Sequence, residues 1–131
     1  MKIGLDFHGV IDKSPRLFRL LGRAFDLIES NEIHIITGCR ERDIKMWLEN
    51  NDIYYDYIYS ITDDLLRRKK PYKKDKKNNP YFDEKLWNTA KAKYCKKHKI
   101  DIMLDNSNIY GNYFVTPYFK MEFRSNKRRY K

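Results

Sequence analysis

The sequence predicts an α/β fold: a three-layer, Rossmann-like domain with a mostly parallel five-stranded sheet, helices on both faces and no large cap domain. Three observations carry this. Short runs that are apolar on both faces alternate with longer segments of helical periodicity, the pattern of a parallel sheet covered on both sides. Three of the runs deliver a polar residue at their end, namely Asp6, Thr37 and Asp105. Right-handed crossovers between parallel strands bring such ends to one sheet edge, at the crevice where the strand order reverses.

The elements follow in order. Lys2–Asp6 is the first strand, and a loop from Phe7 to Lys13 turns at Gly9. Ser14-Pro15 reads as N-cap and first helical residue. Leu17, Leu20, Leu21, Ala24, Phe25, Leu27 and Ile28 then recur at helical spacing, so residues 15–30 form an amphipathic helix that Asn31 ends. Ile33–Thr37 is a second buried strand, stopped by Gly38. Arg42–Asn50 is a second helix with Ile44, Trp47 and Leu48 inward. Ile53–Ile61 contains a third strand at Tyr57–Ser60. Arg67–Pro80 is a basic, turn-rich loop unable to bury a core face. Glu84–His98 is a long helix with Leu86, Trp87, Ala90, Tyr94 and Cys95 near its apolar side. Ile100–Leu104 is a fourth strand leading to Asp105. A turn around Asn108–Asn112 precedes a fifth strand near Tyr113–Thr116. The organisation is one domain over residues 1–124, with loop 67–80 inserted after strand three, and a basic tail over 125–131.

Composition sets bounds on function. A chain of 131 residues suits one core. No segment approaches the roughly 18 apolar residues that span a bilayer, so no membrane partner is expected. Met1-Lys2 leads directly into a strand that carries a candidate reactive carboxylate, which is unlike a cleaved signal peptide. Cys39 and Cys95 lack CxxC or zinc-ligand spacing and read as free thiols of a reducing, cytoplasmic protein. The abundance of Asn, Lys, Ile and Tyr is that of an AT-rich coding sequence, as in some viruses.

The net charge of +10 is unevenly spread: residues 1–66 sum to −4 and residues 67–131 to +14. The basic half suits an anionic partner, either a phosphorylated substrate or nucleic acid; a merely solvated surface is the other reading. Eight Lys and Arg fall between Arg67 and Lys77, with Asp75 the only acid there. This stretch could overhang the site as a lid, contact a nucleic-acid backbone, or be a solvated loop. Tyr54, Tyr55, Tyr57 and Tyr59 read as packing residues of an alternating strand, with stacking on bases as the second reading.

The strand ends suggest chemistry. Two carboxylates from neighbouring strands, Asp6 and Asp105, can hold Mg2+, which often uses one or two carboxylates plus water and phosphate. Asp6 could then attack phosphorus to give an aspartyl-phosphate that water hydrolyses. The Thr37 hydroxyl and the backbone N–H at Gly38 suit phosphate oxygens. Lys91, on the helix before strand four, is placed to reach the strand ends and balance charge. Each residue alone has a plainer role, as loop residue, strand-end hydrogen bonder or surface lysine. Their convergence singles out the set.

Asp6-Phe-His-Gly-Val resembles the first motif of the haloacid dehalogenase-like (HAD) phosphohydrolases. Ile35-Ile36-Thr37-Gly38 resembles the second. Lys91-Ala-Lys-Tyr-Cys95 followed by Ile100-Asp-Ile-Met-Leu-Asp105-Asn106-Ser107 resembles the third and fourth. The matches come in the family's order over residues 1 to about 116. The resemblance implies a minimal, capless magnesium-dependent phosphatase. In it Asp6 is the nucleophile, Thr37, Gly38 and Lys91 hold phosphate, and Asp6, the His8 carbonyl, Asp105 and Asn106 surround the metal. His8 stands where the family usually has a second aspartate, and Asn106 replaces the second member of an acidic pair. Imidazole exchanges protons near neutral pH and can serve as the acid/base group. The expected substrate is a phosphomonoester, either a nucleotide or a nucleic-acid end. A weakly active or inactive HAD-scaffold protein that binds nucleic acid through its basic half is the alternative, and phosphotransfer is a third.

Overall fold

Strands Lys2–Leu5 (β1), Glu32–Thr37 (β2) and Tyr57–Ser60 (β3) in the computed structural model, which describes residues 1–123, pair in parallel to one side of β1. On the other side of β1 lie, after two hairpin strands at Tyr72–Lys74 (β4) and Pro80–Phe82 (β5), Ile102–Asp105 (β6) and Tyr118–Lys120 (β7). The resulting parallel sheet has the order β3-β2-β1-β6-β7. The order reverses at β1, so the crevice for a ligand opens at the carboxyl ends of β1 and β6. This is the expected three-layer α/β architecture without a large cap.

The period-two alternation of the strands assigns each face. Ile3 and Leu5 of β1, with Ile33 and Ile35 of β2, join a core with Phe18 of helix α1 (Pro15–Asp26) and Ile44 and Leu48 of α2 (Glu41–Asn50). The intervening residues face the opposite side. There Ile36, Ile100 and Met103 pack with Cys95 of α4 (Glu84–Lys97). A third cluster joins Ile61 and Leu65 of α3 (Ile61–Arg67) to Phe82 and Ala90. Burial of these alternating side chains is the main force holding the layers.

Several elements differ from the sequence reading. The first helix ends at Asp26 rather than Ser30. The N–H groups of Leu27 and Ile28 bond to Ala24 and Phe25, tightening into turns. Its buried face is Phe18 and Gly22, while Leu17, Leu20, Leu27 and Ile28 are exposed. Apolar residues occur around most of that helix, and the sheet covers only one stripe. Ser14 occupies the N-cap position, but its side chain makes no capping bond.

The short helix α3 was not expected. The Ser60 hydroxyl accepts the Asp63 N–H at 3.1 Å and starts it directly from β3. The basic segment is not wholly irregular: Tyr72–Lys74 (β4) and Pro80–Phe82 (β5) form an antiparallel hairpin. Its turn is fixed by the Asp75 carboxylate, which accepts the N–H groups of Lys77 and Asn79, each at 2.8 Å. The fifth sheet strand lies at Tyr118–Lys120 rather than Tyr113–Thr116, and a 3₁₀ turn occupies Tyr110–Tyr113. Pro117 cannot donate to a ladder, so regular pairing begins only after it. The basic tail over 125–131 lies outside the described residues. No helix is long and apolar enough to cross a membrane among the described residues.

The burial pattern on α1 has a direct stability consequence. Phe18→Ala should cost about 3–5 kcal/mol in urea unfolding, whereas Leu20→Ala should stay within about 0.5 kcal/mol. Equal losses would contradict the assigned face.

Candidate active site

The same alternation aims the two strand-end carboxylates. Register pairs Leu5 with Leu104, so Asp6 and Asp105 follow side by side on neighbouring strands. Both fall on the face of Gly4 and Met103, the face that α4 covers. Lys91 projects from α4 between them. Its ammonium lies 2.9 Å from Asp6 Oδ1 and 2.6 Å from Asp105 Oδ2. All three side chains are buried, with Lys91 only 2% exposed. The remaining bonds come from backbone: the Phe7 N–H donates to Asp6 Oδ1 at 2.9 Å, and the Ser107 N–H to Asp105 Oδ1 at 3.0 Å. Asp6 Oδ2 has no partner among the described residues.

Electrostatics follow from this packing. Burial, reinforced by the Asp105 charge and opposed by Lys91, raises the Asp6 carboxyl from its ordinary 3.8 to about 6. Burial pulls the Lys91 ammonium down, but the two carboxylates pull harder and the net direction is up. With both carboxylates ionised, the cluster carries one net negative charge.

The loop after β1 is built around Gly9, whose φ of +86° lies in the left-handed region. A Cβ there would come within 2.0 Å of the Asn106 amide, so glycine permits the loops after β1 and β6 to touch. Asn106 therefore lies against the turn that carries His8. The His8 imidazole is largely exposed, and its Nδ1 lies 3.0 Å from Asp12 Oδ2. The other Asp12 oxygen accepts the Gly9 N–H at 2.7 Å. Asp12 thus orients the imidazole and leaves Nε2 facing outward. The carbonyls of Asp6 and Phe7 accept N–H groups within the loop, whereas that of His8 accepts none among the described residues.

Thr37 and Gly38 sit one strand away. The alternation puts Thr37 on the face of Ile33 and Ile35, and its buried hydroxyl accepts the Cys39 N–H at 3.1 Å. It does not join the Lys91 cluster. Gly38 packs under the Trp87 ring, where a Cβ would meet that ring at 2.7 Å. Cys39 and Cys95 are unpaired thiols, as expected; burial pushes the Cys95 thiol up to about 12, which makes it inert as a nucleophile. Of the clustered tyrosines, Tyr59 stacks on Tyr94 with centroids 4.4 Å apart and Tyr57 lies against His34, while Tyr54 and Tyr57 remain 40% and 53% exposed.

Three participants were not singled out from the sequence. Asp12 was read only as part of the opening segment. Tyr110, whose ring centroid is 4.9 Å from Lys91 Nζ, lies in a 3₁₀ turn with no periodicity. Its hydroxyl accepts the Trp87 Nε1–H at 2.9 Å, linking the cluster to Trp87. Asn88, one turn before Lys91, is also buried.

The oxygen donors here suit a hard cation. The Asp6 and Asp105 carboxylates and the free His8 carbonyl are what magnesium takes alongside its own waters. A divalent ion would also offset the burial, reinforced by the Asp105 charge, that raises Asp6. No group of three or more His, Cys, Asp or Glu side chains that could hold a metal forms among the described residues, so an all-protein cage of the structural zinc type is not built. Comparison of the chain with protein-family models, with curated proteins and with solved structures finds no match.

The raised Asp6 pKa links stability to pH. Between pH 3.8 and about 6 the folded chain keeps a proton that the unfolded chain releases. The contribution of this group is therefore complete below that window and is lost as pH rises through it, on the order of 3 kcal/mol. Asp6→Asn has no such term. Its unfolding free energy relative to wild type should rise by about that amount from pH 4 to pH 7. A pH-independent difference would contradict the raised value.

Proposed function

We propose that this chain is a HAD-like, magnesium-dependent phosphomonoesterase that works through an aspartyl-phosphate. The observation that carries the reading is the buried Asp6–Lys91–Asp105 cluster at the carboxyl edge of the sheet. An ionised carboxylate with one unbonded oxygen beside a fixed ammonium suits nucleophilic attack on an anionic phosphorus. A free-thiol protein of this kind suits a reducing, cytoplasmic setting.

Magnesium, held by Asp6, Asp105 and the His8 carbonyl, would supply charge neutralisation at the phosphate oxygens. Asp6 Oδ2 forms the new bond to phosphorus as the bond to the leaving oxygen breaks. The His8 Nε2 proton passes to that oxygen, with Asp12 holding the ring. Water then attacks the phosphorus of the acyl phosphate, its proton returns to His8, and Asp6 is released with inorganic phosphate. Lys91 bridges the two carboxylates and opposes the burial that raises Asp6.

A second reading, a nucleic-acid-binding module, has its own observation. Lys73, Lys74, Lys76 and Lys77 project from the β4–β5 hairpin, exposed and without ion pairs among the described residues. Such a row suits a phosphate backbone.

An assay of phosphate esters with magnesium should show turnover that EDTA abolishes and added magnesium restores. Asp6→Asn should remove it; undiminished turnover would dismiss the assigned nucleophile. His8→Ala should lower the rate by about 10²–10⁴-fold while His8→Asp retains much of it. Equal rates for wild type and His8→Ala would dismiss the imidazole. The binding module instead predicts no turnover, with salt-sensitive oligonucleotide binding that survives Asp6→Asn.

A further inference from the structure

A cavity of about 490 Å³ opens beside the Lys91 cluster, between the β4–β5 hairpin, the start of α4 and the segment after β6. That is within the usual range of about 300–1,000 Å³ for a small-molecule site. Its walls are largely aromatic. Phe82 and Trp87 lie with ring planes only 12° apart, and Tyr110 is tied to Trp87 by the bond described above. Tyr110 and Ser107 belong both to this cavity and to the cluster, since Tyr110 flanks Lys91 and Ser107 binds Asp105. A ligand in the cavity therefore lies next to the proposed phosphate position.

Asn88 adds a polar group to the cavity wall. The residue is 7% exposed, lines the cavity, and its side chain has no hydrogen-bond partner among the described residues. No fully enclosed side-chain nitrogen or oxygen among those residues lacks a partner. The unpaired Asn88 amide conforms by opening onto the cavity. A buried amide offers a donor pair and an acceptor, which match a heteroaromatic edge that presents an acceptor beside a donor. Aromatic walls suit the faces of such a ring.

We propose that this cavity seats the base of a nucleotide, with the Asn88 amide reading the base edge while the phosphate meets Asp6 and Lys91. The proposal rests on the phosphatase reading for the phosphate and adds a seat for the base and the residue that reads it. The base can come from a free nucleotide or from the terminal nucleotide of a strand. In the second case the hairpin lysines would meet the adjoining phosphates.

The test separates base recognition from catalysis. Unphosphorylated nucleosides of the four bases, with ribose as control, are titrated into the Asp6→Asn protein and the wild type. Trp87 emission is followed, with Trp87→Phe to assign the signal against Trp47. Nucleosides should bind and quench Trp87, with one base preferred over the others by about tenfold or more. Asn88→Asp, which exchanges donors for acceptors, should change that preference. Nucleosides binding no better than ribose, in protein that needs no cavity variant, would overturn the proposal. So would a base preference that Asn88→Asp leaves unchanged. Hydrolysis of all phosphate esters at one rate, without nucleoside binding, would end this proposal and leave the phosphatase reading intact. Asn88-dependent nucleoside binding without any turnover would do the reverse. Comparing mononucleotides with short oligonucleotides carrying a terminal phosphate, at low and high salt, then assigns the source.

Discussion

The placement of one ammonium between two carboxylates constrains the rest of the chain. Lys91 can meet Asp6 and Asp105 only if β1 and β6 are neighbours in register, and only if α4 crosses the face to which residues 4, 6, 103 and 105 point. The start of α4 is set by Asp83, whose carboxylate accepts the Leu86 N–H at 3.1 Å, and by Phe82 against Trp87. A shift of one residue in either strand would turn its carboxylate into the opposite core. Three buried charges are a poor source of stability, since desolvation largely cancels their attraction. A cluster that stabilises little yet requires one register, one helix placement and one pair of loop contacts fits the catalytic role we propose for it.

Much of this arrangement was legible in one dimension. An apolar run that ends in a carboxylate marks both the strand and the position of its end, so Asp6 and Asp105 could be found without coordinates. Lys91 was visible because a long helical segment precedes the second of those strands. Local signals failed where elements were short or apolar patterns ambiguous. Helix α3 has seven residues and starts without a glycine or proline break. The hairpin hides in a lysine-rich stretch whose order comes from one aspartate in its turn. On α1, leucines on both sides of the helix concealed which stripe meets the sheet, and Phe18 decides it only through packing. Asn88, Tyr110 and Asp12 were illegible for a different reason: their importance lies in contacts between segments distant in sequence or in a turn without period.

A groove of about 780 Å³ between α3 and α4, roomier than the cavity by Tyr110, does not contain the cluster. Arg67 and Arg68 on its wall are already engaged by Asp64 at 2.6 and 3.1 Å. The smaller cavity by Tyr110 is the one joined to the charged centre, through Ser107 and Tyr110. Size therefore does not rank these surfaces; connection to the buried charged cluster does.

The two unusual residues, His8 and Asn106, are best understood together. Asn106 fills the space over Gly9, where a carboxylate would bring a third negative charge toward Asp6 and Asp105. Asp6 already sits near 6 because burial and one neighbouring carboxylate disfavour its ionised form. Another like charge would push it higher and leave it more often protonated at neutral pH, when the nucleophilic role we propose needs it ionised. A neutral amide avoids that repulsion while still filling the contact. His8 follows the same logic. An imidazole two residues after the proposed nucleophile brings a proton donor without adding negative charge, and its own carboxylate partner, Asp12, is placed four residues along the loop. The two residues together spare Asp6 further negative charge, which favours the ionised carboxylate that the proposed attack requires.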